Sequence, residues 1–145
     1  MNSIKNFLAP DHHQCDDLFA AAEAAVAGRN WGEAEPAFAR FRDALRHHFS
    51  MEEAVMFPAF ENRTGVHMGP TEMMRMEHLQ MKELLDQLEH SLARRDNNAY
   101  LGDAETLLII MQQHNIKEEQ ILYPMADKAL ATECEEVIGR MRAVA

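Results

Sequence analysis

The 145-residue sequence has only two cysteines, Cys15 and Cys134, too few for a disulfide-stapled scaffold. No apolar run approaches the roughly 20 residues that cross a bilayer, and the first ten residues hold no stretch long enough for a signal peptide. A cytoplasmic protein without membrane contact is therefore expected. Positive charge is also scarce, with 14 Lys and Arg against 24 Asp and Glu and a formal net charge of −10. Such a chain repels phosphate backbones, which argues against nucleic acid as a partner. Asn-Gly and Asp-Gly turns are missing and β-branched runs are few, so hairpins and sheets are not expected.

What remains is rich in Ala, Leu, Glu, Met and Gln, all good helix formers. Apolar residues make up 47% of a length that suits one domain with its own core. Apolar positions recur at helical spacing in four long segments, about 11–27, 33–62, 70–96 and 98–130. Gly28 is a candidate C-terminal glycine for the first segment. A short helix over about 133–143 is expected to follow, with Thr132 as N-cap and Glu135 at the capping-box position. Pro58 and Pro124 lie inside the second and fourth segments and should kink them or end their regular part. Short connections favour antiparallel neighbours. The expected fold is therefore all-α: an antiparallel up-down-up-down four-helix bundle across residues 1–145, with a short extra C-terminal helix.

The sequence repeats itself. His48-x-x-x-Glu52-Glu53 with Phe57-Pro58 returns 66 positions later as His114-x-x-x-Glu118-Glu119 with Tyr123-Pro124, and Asp11-His12 returns as Glu77-His78 at the same offset. Each half thus has one histidine on its first helix and His-x-x-x-Glu on its second. A lone His-x-x-x-Glu is a common surface pair one helical turn apart. Four histidines and two glutamates held in one register over two halves are not accounted for that way. Two helical hairpins related by an internal pseudo-two-fold would bring the six side chains together in the core. His12 continues an apolar face through Cys15 and Phe19, and His78 does so through Met81 and Leu85, so the imidazoles should point inward. Buried carboxylates at Glu52 and Glu118 need a cation or a proton. Mixed nitrogen and oxygen donors suit iron, with manganese or zinc also compatible. No histidine has a glutamate three residues before it, so the Glu-x-x-His pattern of ferritin-type sites is missing.

These motifs resemble the hemerythrin-like (HHE cation-binding) family, over nearly the whole chain. The resemblance implies a non-haem di-iron centre with ligands His12, His48, Glu52, His78, His114 and Glu118, bridged by the two glutamates and an oxo or hydroxo group. It implies oxygen or nitric oxide as the small ligand, bound for sensing, storage or stress protection. Members also act as di-iron redox proteins that handle peroxide or nitric oxide, repair iron–sulfur clusters or serve iron homeostasis. A ligand-binding protein is expected here rather than a dedicated enzyme, as a monomer or homodimer. The family's repair proteins carry an N-terminal region with cysteine chemistry, and no Cys-Cys pair occurs here. Oxygen carriers of the family have a fifth histidine one turn before the third-helix ligand, where this chain has Met74. Among the other residues, His13 and His47 are expected at the surface or beside a ligand, and His67 and His90 facing solvent. Glu53 and Glu119 should face solvent or support a ligand. Tyr123 should lie away from the metals, as packing.

Overall fold

The computed structural model describes residues 2–145. Its elements are α1 (Ile4–Ala27), α2 (Trp31–Met51), α3 (Phe57–Thr64), α4 (Pro70–Ala93), α5 (Asn97–Lys117), α6 (Tyr123–Ala129) and α7 (Cys134–Arg142). Two π-helical turns, Glu52–Met56 and Glu118–Leu122, join α2 to α3 and α5 to α6 without a break. No strand occurs among the described residues. No helix among them is long and apolar enough to cross a membrane.

Helix α1 begins at Ile4, well before the expected start near Asp11. The sequence suggested a later start because Pro10 stands in the way, and an interior proline costs about 3 kcal/mol. Burial and capping offset that cost. Ile4 and Leu8 are fully buried, and each such side chain contributes roughly 1.5–3 kcal/mol. Ser3 accepts a hydrogen bond from the Asn6 N–H at 2.9 Å, and Asp127 of α6 accepts from the Ile4 N–H at 2.7 Å. The last helix also starts differently from expectation. Its N-cap is Glu133 with no side-chain cap, so Thr132 does not form the capping box.

Helix α1 turns into α2, and α4 into α5, through connections of one design. Asn30 and Asp96 cap the second helix of each pair. The left-handed residue in each turn is an arginine: Arg29 at φ 55° and Arg95 at φ 54°. The expected C-terminal Gly28 has φ −80°, and its freedom goes unused. Asn30 N–H reaches back to Ala25 O, and Asp96 N–H to Ser91 O, each at 2.9 Å. These six-to-one bonds are what force a left-handed residue just before them.

Pro58 and Pro124 do not end their helices. A proline ring pushes against the carbonyl four residues back and offers no N–H. Here the chain widens by one residue just upstream, so that Phe57 N–H bonds Glu52 O and Tyr123 N–H bonds Glu118 O. This local widening is the expected irregularity in the form of a π turn.

The apolar interior falls into two clusters. One contains Phe19, Phe38, Phe41, Phe49, Leu85 and Tyr100. The other contains Ile4, Leu8, Met56, Phe57, Met74 and Leu122, and α7 closes it with Val137, Ile138 and Met141. Each long helical run crosses from one cluster to the other at a histidine. In α1 the crossing is Leu8, His12, Cys15, and in α4 it is Met74, His78, Met81.

Candidate metal centre

The crossing points lie at one level and form a polar layer. His12, His48, Glu52, His78, His114 and Glu118 are all buried, each at most 4% exposed. Their donor atoms converge in two groups. One contains Glu52, His78, His114 and Glu118, and the other contains His12, His48 and Glu118. Glu118 belongs to both, with Oε1 3.1 Å from His12 Nε2 and Oε2 3.3 Å from His114 Nε2. Glu52 Oε1 lies 3.1 Å from His78 Nε2 and 3.5 Å from His48 Nε2. All six residues singled out in the sequence are thus brought together.

The i, i+4 spacing explains part of this. His48 and Glu52, and His114 and Glu118, share a helix face one turn apart. The orientation of the imidazoles comes from elsewhere. His48 Nδ1 faces Asp11 Oδ2 at 3.2 Å, and His114 Nδ1 faces Glu77 Oε1 at 2.7 Å. His12 Nδ1 faces Glu119 Oε2 at 2.7 Å, and His78 Nδ1 faces Glu53 Oε2 at 2.6 Å. An ionised carboxylate only accepts, so each Nδ1 carries the hydrogen and donates it. In the neutral imidazole, the form that binds a metal, the lone pair is then on Nε2, which points into the centre in every case. Glu53 and Glu119 therefore support His78 and His12 rather than simply facing solvent. His13, His47, His67 and His90 are exposed, as expected.

The four supporting carboxylates are not alike. Lys82 Nζ lies 3.1 Å from Glu53 Oε1, and Lys117 pairs with Glu77. Among the described residues, Asp11 and Glu119 have no lysine or arginine within ion-pair distance. The positions 66 residues before Lys82 and Lys117 are Asp16 and Met51. Both lysines thus serve the His78 and His114 side.

The electrostatics are those of a site built around positive charge. Burial alone would lower the His114 pKa, but Glu118 beside it lifts the group to about 9. Burial likewise opposes charge on His48, and Glu52 overrides it, raising the group well above the usual histidine range. Burial would raise Glu118, yet hydrogen bonding from Glu52 and the nearness of His114 hold it well below the carboxylate range. Cys15 is pushed up to about 11 by burial, so it is an inert thiol on the wall and not a thiolate ligand.

Four inward-facing atoms have no hydrogen-bond partner: Glu52 Oε1, His78 Nε2, His114 Nε2 and Glu118 Oε2. Orphaned buried polar atoms are costly and rare. These four belong to one of the two donor groups, where a cation would satisfy them together. The residues present fit a metal.

Tyr123 overturns the expectation made for it. Nine residues beyond His114, a straight helix would carry it away from the histidines. The intervening π turn instead aligns it with Glu118, five residues earlier, and a helical side chain leans back toward the N-terminus. Its hydroxyl sits 2.7 Å from Glu52 Oε2 and 3.0 Å from Glu118 Oε1, and the ring stacks beside His12. Its counterpart Phe57 stacks beside His78 and has no hydroxyl. The Tyr-Pro and Phe-Pro dipeptides were the available signal, because the proline forces the widening.

Comparison with known proteins agrees with this site. Residues 3–126 match the family model of the hemerythrin HHE cation-binding domain. The chain belongs to that family, whose members bind small ligands at a metal site. No curated protein and no solved structure gave a match. Helix α7 lies beyond the matched span.

Proposed function

We propose that this chain is a non-haem di-iron protein that binds a small ligand, oxygen or nitric oxide, for sensing, storage or stress protection. His12, His48, Glu52, His78, His114 and Glu118 are the ligands in this reading. The carrying observation is the pair of donor groups that share Glu118, which asks for two adjacent cations rather than one. We also assign the halves to an up-down-up-down bundle with an internal pseudo-two-fold, because equivalent contacts recur at positions 66 apart. When bound, the metals supply redox chemistry and a coordination position for a diatomic ligand. The chain orients the imidazoles through Asp11, Glu53, Glu77 and Glu119, and it keeps bulk water from the layer with Phe49 and Phe57.

Two surface clefts come close to the centre. One is lined by Asp11, Cys15, His47 and Met51, the other by Met73, Met76, Glu77 and Lys117. Each reaches a carboxylate behind a histidine, Asp11 behind His48 and Glu77 behind His114. The test is anaerobic reconstitution with ferrous iron, followed by metal analysis and by optical spectra under oxygen and under nitric oxide. Two irons per chain and a spectral change with either gas are expected. A content near one ion per chain after full loading refutes the dinuclear reading.

A further inference from the structure

We infer that Tyr123 is a seventh protein ligand, a phenolate donor to the metal held by His12 and His48. This rests on the metal reading above. The Tyr123 oxygen has four polar neighbours: Glu52 Oε2 at 2.7 Å, Glu118 Oε1 at 3.0 Å, and His12 Nε2 and His48 Nε2 both at 3.3 Å. A phenol has one proton and can donate it to one of them. Both histidine Nδ1 atoms carry their own hydrogens for Glu119 and Asp11, so both Nε2 atoms present lone pairs to the phenol oxygen in the neutral tautomer. The carboxylate oxygen that the phenol does not serve does the same. A cation at their centre would hold such electron-rich atoms together at these distances.

The distances suit that role. First-row metals bind nitrogen and oxygen donors at about 2.0–2.2 Å, which places neighbouring donors of an octahedron about 3 Å apart. Tyr123 Oη lies at 3.0–3.3 Å from Glu118 Oε1, His12 Nε2 and His48 Nε2, and His12 Nε2 is 3.1 Å from Glu118 Oε1. His48 Nε2 and Glu118 Oε1 are farther apart, at 3.9 Å, and the phenol oxygen lies within 3.3 Å of both, where a cation held by these atoms would reach it. It completes a group that otherwise has three donors where its neighbour has four. On coordination the O–H bond is replaced by an O–metal bond, and the proton joins those released to buffer during loading. Phe57 stands in the equivalent place on the other side and offers no donor. The His78 and His114 group thus keeps the four donors it already has and gains none from Phe57.

The chain has two tyrosines, so the experiment is clean. Wild type, Tyr123→Phe and Tyr100→Phe are loaded anaerobically with ferrous iron and oxidised with ferricyanide. Iron content, the visible spectrum and resonance Raman are then recorded. Wild type and Tyr100→Phe should show a phenolate-to-ferric charge-transfer band with enhanced tyrosine ring modes. Tyr123→Phe should lose both while retaining iron. Wild type labelled with ring-deuterated tyrosine should shift those modes, a check that needs no variant. Two irons per chain with no tyrosinate band in wild type overturns this assignment and leaves the di-iron reading intact. A band that survives in Tyr123→Phe overturns it as well. A wild-type chain that takes up no iron refutes both.

Discussion

Glu119→Gln isolates the contribution of a carboxylate that touches no metal. In the wild type its Oε2 accepts from His12 Nδ1 at 2.7 Å, and its side chain is 32% exposed against 5% for His12. The bond is charge-assisted and mostly screened from water. Such bonds contribute about 1.5–3 kcal/mol, against about 0.5–1.5 kcal/mol for a neutral pair. Glutamine keeps an acceptor oxygen and the shape but loses the charge. The expected loss is about 1–1.5 kcal/mol of imidazole basicity and orientation, or roughly five- to tenfold in affinity for one metal. The other metal, held by His78 and His114, should be unaffected. Glu118→Gln should instead weaken both binding steps, since Glu118 belongs to both donor groups. The assay is a competition titration against a metal-binding dye, fitted to two steps. His13→Gln, an exposed change beside His12, serves as the control. Equal weakening of both steps by Glu119→Gln, or no weakening of either, refutes the argument that this carboxylate acts through His12.

Other consequences can be measured without iron chemistry. Arg29→Gly and Arg95→Gly each relieve a left-handed residue with a Cβ, so each should add about 0.5–1 kcal/mol to unfolding stability in denaturant titration. Unchanged midpoints would show that these turns carry no such strain. In the metal-free protein, the raised His114 should make stability complete below about pH 6.5 and cause its loss as pH rises through about 9, and the raised His48 should act in the same direction. Metal affinity should rise over the same window, because ligation needs neutral imidazole. Parallel trends in the two measurements would contradict the assignment of these histidines.

The convergence of the six side chains was largely legible because they lie on helices in a fixed register. Spacing of i and i+4 settles which acid shares a face with His48 or His114, and the offset of 66 links the halves. Less visible were contacts made across helices. Asp11 and Glu77 precede His12 and His78 in sequence, yet they hold His48 and His114. Glu53 and Glu119 follow the buried Glu52 and Glu118, yet they hold His78 and His12. No pattern along one helix specifies such pairs. Tyr123 escapes a reading along the sequence for a different reason: 3.6 residues per turn would carry it away from His114, but the segment widens to relieve a proline. The start of α1 was misjudged because Pro10 is a local signal, whereas the burial of Ile4 and Leu8 is a tertiary one.

The polar layer has a further consequence for how long the chain survives in a cell. Neither apolar cluster extends through the layer, so the two ends of the bundle are joined across atoms that lack partners without a cation. Emptied, this seam is where opening costs least, and transient opening is what proteases exploit. Filled, it becomes a rivet, because a cation that binds only the folded form stabilises it by mass action. On the metal reading, starved chains are cleared and loaded ones persist. The abundance of the protein is then tied to the supply of its metal.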